Sequence, residues 1–172
     1  GRVLAEAPLA AHPLPLFDQS AMDGYAVAHH DIADAPVTLP VSTEVAARGH
    51  DRMPQLPAGT AARVFTGGVL PAGADTIVRQ ELTTDLGDGL VRIDGSVDRG
   101  TDVRRRGEEL GAGAALCEPG TELHAGLAGA LVVAGVPDVL VSSSPRIRVV
   151  VTGDEVVTAG TTLSLGQVPD SN

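Results

Sequence analysis

Aromatic side chains are nearly absent from this chain of 172 residues, which has no Trp, one Tyr and two Phe. Its core must therefore be assembled from Val, Leu, Ile and Ala through many small contacts, and the scarcity of aromatics weighs against a stacking platform for single-stranded nucleic acid. Cys117 is the only cysteine. One chain can build neither a disulfide framework nor a cysteine zinc site, and a reducing, cytoplasmic setting fits best. Lysine is missing altogether, and the 12 basic residues, all Arg, face 22 acidic ones for a net charge of −10. Such a field repels nucleic-acid backbones, so any anion site has to be local. No apolar run is long enough to span a bilayer, and no basic-then-apolar leader is present, so no membrane partner is expected. Because the first residue is Gly1 rather than Met, the N-terminus is expected to lie upstream.

What is present divides by texture. Gly1 to Ala7 reads as the tail of a helix stopped by Pro8, Pro13 and Pro15. Leu16 to Val27 reads as a loop between short apolar runs, with Asp23-Gly24 as its turn signal. Then follow short β-branched segments with Gly/Pro punctuation at Val37 to Val45, Ala61 to Phe65, Thr76 to Leu82 and Leu90 to Val97, which predict a compact β domain. Asp85, Gly87, Asp88 and Gly89 supply hairpin chemistry between the last two. After Gly100, Ala114 to Cys117 and Val139 to Val141 read as short strands. Between them Thr121 to Gly135 reads as a helix, with Leu123, Leu127, Ala130, Leu131 and Ala134 on one face and Gly135 as its C-cap. Arg146 to Val151 is an almost unbroken apolar run, the pattern of a strand covered on both faces, and it leads into Thr152-Gly153-Asp154-Glu155. The loop after such a strand is the usual ligand site of an open α/β sheet. Asp170-Ser171-Asn172 are three N-cap residue types in a row, which reads as an α/β domain cut short.

Each candidate constellation has a plain structural alternative. Arg104, Arg105 and Arg106 offer planar donors for an oxyanion, or they pair with Asp102, Glu108 or Glu109. Asp154 and Glu155 offer carboxylates to a metal or a proton, beside the Thr152 hydroxyl, or they form a turn. Asp23 and Thr66, taken singly, are ordinary turn residues. His12, His29, His30, His50 and His124 show no ligand spacing, and no Ser/His/Asp arrangement or P-loop is visible. On these grounds the chain is a β module followed by the beginning of an α/β ligand domain, with no substrate named.

The order of four motifs carries further. Pro15 to Ala26 (PLFDQSAMDGYA), Thr66-Gly67-Gly68 with Pro71 and Gly73-Ala74-Asp75, Arg104-Arg105-Arg106-Gly107-Glu108, and Thr152-Gly153-Asp154-Glu155 resemble, in that order, the molybdopterin molybdenumtransferases, the MoeA and gephyrin E-domain family. The resemblance implies an α+β, multi-domain chain. Residues 1–32 and 104–144 would form a discontinuous linker domain, 33–103 a β-rich inserted domain, and 145–172 the start of a three-layer α/β molybdopterin-binding domain. It implies a homodimer that inserts molybdate into adenylylated molybdopterin with release of AMP, aided by Mg²⁺. An upstream molybdopterin adenylyltransferase and downstream molybdoenzymes or their chaperones would be its partners. Asp23, Thr66, Glu109 and Glu155 match positions implicated in activity. Arg104, Arg105, Arg106, Thr152, Gly153 and Asp154 match the region expected to hold the cofactor precursor, and Asp23, Glu109, Asp154 and Glu155 are the candidate metal ligands. Gln19 stands where the family usually has Asn, and Glu109 where it often has Asp. A fragment of this kind is expected to lack turnover alone, and a non-catalytic scaffold of the same family is the competing reading.

Overall fold

The computed structural model describes residues 1–171, and Asn172, the last of the three expected N-cap residues, lies outside them. The elements in order are β1 (Arg2–Val3), β2 (Gln19–Ser20), β3 (Gly24–Val27), β4 (Val37–Val45), β5 (Ala61–Val64), β6 (Thr76–Arg79), β7 (Thr83–Gly87), β8 (Leu90–Ile93), β9 (Val103–Arg104), β10 (Glu122–Leu123), α1 (Ala125–Val133), β11 (Val156–Val157) and β12 (Val168–Pro169). Six of the strands form one sheet in the order β6-β3-β5-β4-β8-β7. All of its pairings are antiparallel except β4 with β5.

Strand β4 explains how this sheet turns a corner. Residues Val37 to Pro40 pair with β8, whereas Val41 to Val45 pair with β5. Pro40 sits at the changeover. A proline has no N–H to give to a ladder and is normally confined to strand edges, and a strand that exchanges one partner for the other at that point gives it such a place. The parallel β4–β5 pairing needs a long return connection, supplied by residues 46–60. At the far edge β7 and β8 close through Asp88-Gly89, both at positive φ (51° and 72°). That is the two-residue turn whose twist suits a hairpin, as the Asp-Gly pattern predicts.

Two buried clusters lie on opposite faces of the sheet. Tyr25, Val27, Leu39, Ala61, Val78, Val91 and Ile93 build one of them. Ala26, Val45, Ala62, Val64 and Ile77 build the other, with Leu56 and Leu70 from loops. Strand β3 is covered on both faces and all four of its residues are buried. The expected loop over Leu16 to Val27 is therefore corrected at its second half, where a run without polar alternation forms a central strand.

Outside the sheet, β1 pairs with β10, and isolated bridges at Leu4–Val141, Leu9–Ala115 and Leu14–Leu110 tie the first residues to 110–141. Gly1 to Ala7 is thus extended rather than helical. The strands expected at Ala114 to Cys117 and Val139 to Val141 shrink to single bridges. Helix α1 is shorter than Thr121 to Gly135 because Glu122–Leu123 are committed to β1. His124 Nδ1 caps its start by accepting from Leu127 N at 3.2 Å. At its end Gly135 (φ 75°) closes it with bonds from Gly135 N to Val132 O and Val136 N to Leu131 O, the Schellman pattern that only a residue at ease in the left-handed region completes cheaply. Of its expected apolar face, Leu131 and Ala134 are buried while Ala130 is exposed.

The apolar run at 146–151 forms no strand. It has no ladder partner among the described residues, and Ile147 and Val150 are 83% and 72% exposed. Hydrophobic pattern alone does not make a strand; a neighbour must take its N–H and C=O groups. The following turn leads instead into β11, which pairs in parallel with β12. No helix among the described residues is long and apolar enough to cross a membrane.

Candidate functional site

Three of the four conspicuous motifs meet at one end of the sheet. Strand β2 pairs with β9, matching Gln19 with Arg104 and Ser20 with Val103. Its other side is held by the Gly67-Gly68 turn, where Ser20 N donates to Gly68 O at 2.9 Å and Gly67 N to Ser20 O at 2.8 Å. Only glycine fits at position 68. A Cβ there would lie 2.9 Å from Phe65 O and 3.0 Å from Val45 O.

This clamp brings Asp23 and Thr66, 43 residues apart, into direct contact. Asp23 Oδ1 accepts from both the N–H and the hydroxyl of Thr66, each at 2.8 Å. The Thr66 backbone N–H, then its hydroxyl, and more weakly the Arg63 charge hold the Asp23 carboxyl below its ordinary 3.8, outweighing partial burial. Arg63 is itself fixed from several sides. Its guanidinium lies over the rings of Tyr25 (5.0 Å) and Phe65 (5.2 Å), and Nη2 donates to Gln80 Oε1 at 2.7 Å. Gln80 N in turn donates to Asp23 O at 3.1 Å.

The arginine triplet forms a knot of ion pairs. Arg104 Nε donates to Glu108 Oε1 at 2.5 Å, and its Nη2 is bonded to Glu109. Arg105 Nη1 donates to Asp18 Oδ2 at 2.7 Å, and Arg106 N to Asp18 Oδ1 at 2.8 Å. Arg106 Nε donates to Leu16 O at 3.2 Å. Glu108 and Glu109 of the loop take up Arg104 and the distant Asp18 takes up Arg105, so the exposed Arg106 keeps the freer guanidinium. Neither Asp18, Glu108 nor Arg63 stood out in the sequence as a site residue. Asp18 lies inside the most distinctive motif, but no local signal shows that its partner is 87 residues away.

Asp18 carries a testable consequence. The Arg106 backbone N–H, then the Arg105 guanidinium, outweigh partial burial and lower its carboxyl below 3.8. A carboxylate depressed in the fold contributes stability above its unfolded value and loses it as pH falls through the folded one. Asp18→Asn is expected to lower the urea midpoint at neutral pH and to narrow the difference between neutral pH and the acid side of 3.8. Equal midpoints for parent and variant at both ends would overturn this assignment.

The fourth motif stays apart. Thr152, Gly153, Asp154 and Glu155 are exposed, and no hydrogen bond or ion pair of the described residues links them to Asp23, Thr66 or the arginine loop. The candidate metal ligands Asp23, Glu109, Asp154 and Glu155 are accordingly not gathered. Among the described residues no three His, Cys, Asp or Glu side chains form a group able to hold a metal ion. Glu109 is occupied by Arg104, and Asp23 alone does not fit a Mg²⁺ site, which takes octahedral oxygen ligation.

A six-stranded sheet with the β2–β9 pair and the Gly67-Gly68 turn clamped at one end, and a carboxylate–hydroxyl pair set beside an arginine loop, describes the class of molecule. A family model described as the MoeA N-terminal region (domain I and II) matches residues 1–135, and the chain belongs to this family. It is similar to the molybdopterin molybdenumtransferase of a Nostoc species, with 39% identity over 100% of this chain and 40% of the relative. It is also similar to molybdopterin molybdenumtransferase 2 of Mycobacterium tuberculosis, with 37% identity over 100% of this chain and 43% of the relative. The crystal structure titled as the molybdopterin biosynthesis MoeA protein from Pyrococcus horikosii superposes with a TM-score of 0.83 at 31% identity, covering 99% of this chain and 44% of that one. The chain thus spans less than half the length of these relatives.

Proposed function

We propose that this chain is the β-rich side of a molybdopterin molybdenumtransferase, which inserts molybdate into adenylylated molybdopterin and releases AMP. The observation that carries the reading is the convergence of Asp18 to Gly24, Thr66 to Gly68 and Arg104 to Glu109 on one clamp, with Asp23 and Thr66 bonded to each other. Around an anionic substrate such as a phosphoanhydride, a carboxylate kept ionised serves as an acceptor that orients a water or a hydroxyl. Thr66 holds that carboxylate in one rotamer. Arg106 is placed to attract an oxyanion, while Arg104 and Arg105 shape the loop that presents it. Glu155, with Thr152, Gly153 and Asp154, belongs to the pterin side of the same cleft in this reading. A homodimer in the cytoplasm, supplied by a molybdopterin adenylyltransferase and serving molybdoenzymes or their chaperones, completes it. Mg²⁺ would need oxygen ligands beyond those gathered among the described residues.

The test is cofactor formation from adenylylated molybdopterin and molybdate, using a protein of the relatives' full length that carries this sequence. Formation of active cofactor with stoichiometric AMP is the expected result. A correctly folded, inactive protein would move the assignment to a scaffold of the same family.

A further inference from the structure

Arg63 stands on β5 with Tyr25 of β3 opposite it on one side and Glu44 of β4 on the other. Opposite charges on neighbouring strands ordinarily pair. Arg79, Arg92, Arg99, Arg104 and Arg105 all hold ion pairs with carboxylates. Arg63 holds none among the described residues, although Glu44 lies beside it in the ladder. Its guanidinium lies instead over the rings of Tyr25 and Phe65, while Nη2 donates to Gln80 Oε1 at 2.7 Å and Nη1 makes a long bond of 3.5 Å to Gly24 O.

These contacts reach every segment that carries the Asp23–Thr66 pair. Gly24 and Tyr25 follow Asp23 directly, and Phe65 directly precedes Thr66. Gln80 closes the circuit, donating its N–H to Asp23 O at 3.1 Å. It is itself held by Thr83, whose N–H and hydroxyl both donate to Gln80 O. The pair lies at the surface, with Thr66 exposed and Asp23 half-buried. Water competes for each partner of such bonds, so they persist only while the segments that carry them stay in register. A guanidinium suits that task. It is planar, with its N–H groups in a fixed fork, and so stacks on rings and bonds along its edge at once, which an ammonium cannot do.

We infer that Arg63 is a positioning residue for the transfer reaction: stacked on Tyr25 and Phe65 and tied to Gln80, it holds the segments of Asp23 and Thr66 at bonding distance. The inference rests on the transferase reading and adds to it a residue that acts through the Asp23–Thr66 pair. The Thr66 N–H and hydroxyl lower the Asp23 carboxyl more than the Arg63 charge does, so the arginine works chiefly through geometry. Its guanidinium also lines an open hollow of 710 Å³ together with Glu44, Gln80 and Asp85. Trimming it therefore seals no void inside the fold.

Amide hydrogen exchange in this chain tests the brace without turnover. The Thr66 N–H is bonded to Asp23 Oδ1, whereas the Ser20 N–H is bonded to Gly68 O in the neighbouring clamp. R63M is expected to speed Thr66 exchange by at least about tenfold and to leave Ser20 exchange unchanged, the signature of a local opening. Q80L, at an exposed position, should act in the same direction and serves if R63M does not fold. In a protein of the relatives' full length, R63M should lower kcat for insertion by about tenfold with KM nearly unchanged, the cost of a small misplacement. R63K keeps the charge without the plane, and its kcat should stay low. Unchanged Thr66 exchange in R63M and Q80L, faster exchange at Ser20 as well as Thr66, or parental kcat in R63M or R63K would each overturn the proposal. Faster Thr66 exchange alone, in a sequence whose full-length protein inserts no molybdenum, leaves the brace standing and removes the transferase reading. Insertion at parental kcat by R63M removes the brace and leaves the transferase.

Discussion

Gly24→Ala is expected to destabilise the chain by about 3 kcal/mol, the upper part of the range for overpacking a fitted interior. A Cβ at this position would lie 2.1 Å from Val78 O and 3.0 Å from both Val78 C and Arg79 Cα. Every one of these atoms is backbone of β6, so no side chain can rotate away. The strands must part, although β3 and β6 share four registered pairs from Gly24–Arg79 to Val27–Thr76. Separation would open both clusters, because Tyr25 and Val27 face one and Ala26 the other. Gly95→Ala is the control. A Cβ there meets nothing within 4 Å and its φ is not positive, so its effect should stay within about 1 kcal/mol. Urea unfolding followed by circular dichroism measures both, and a Gly24→Ala chain as stable as the parent would mean that β3 and β6 do not approach this closely.

The same glycine shows why parts of this fold were legible and others were not. Strand β4 follows the expected Val37 to Val45 to the residue, because β-branched residues in partial alternation are bounded by turn signals on both sides. The Asp88-Gly89 hairpin and the Gly135 helix stop were equally local signals. Strand β3 was not, since Gly-Tyr-Ala-Val is short, lacks polar alternation and is buried by partners about forty and fifty residues further along the chain. Arg146 to Val151 is the opposite case, with a strong local pattern and no partner among the described residues to realise it. Local chemistry proposes a strand, but pairing decides it.

The candidate site divides along the same line. Asp23, Thr66 and the arginine loop were conspicuous as motifs, and the fold brings them together through β2. Arg63 escaped notice because its contacts with Tyr25 and Phe65 depend on a cross-strand register, Tyr25 opposite Arg63, that no single segment displays. The oxyanion role offered by three adjacent arginines narrows once Asp18, Glu108 and Glu109 are seen to take up two of them. Clustering of like charge in a sequence measures neither field nor availability; the carboxylates folded against it set both.

In a full-length protein carrying this sequence, Asp23→Ala is expected to reduce molybdenum insertion by at least about 100-fold, the scale on which a positioned carboxylate contributes. Thr66→Val should approach that loss. It removes the hydroxyl bonded to Asp23 Oδ1 and keeps the branched shape, whereas Thr66→Ser, which restores the hydroxyl, should recover most of the activity. Because the two side chains act as one unit, the double variant should be little worse than Asp23→Ala alone. The pH profile separates positioning from mere packing. The hydroxyl is the second of the contacts that hold Asp23 below 3.8, after the Thr66 N–H, so its removal lets the carboxyl rise toward the ordinary value. The acid limb of activity should therefore move to higher pH in Thr66→Val and return in Thr66→Ser. Full insertion by Thr66→Val, or losses that simply multiply in the double variant, would show that Asp23 and Thr66 are neighbours in the fold without being partners in the chemistry.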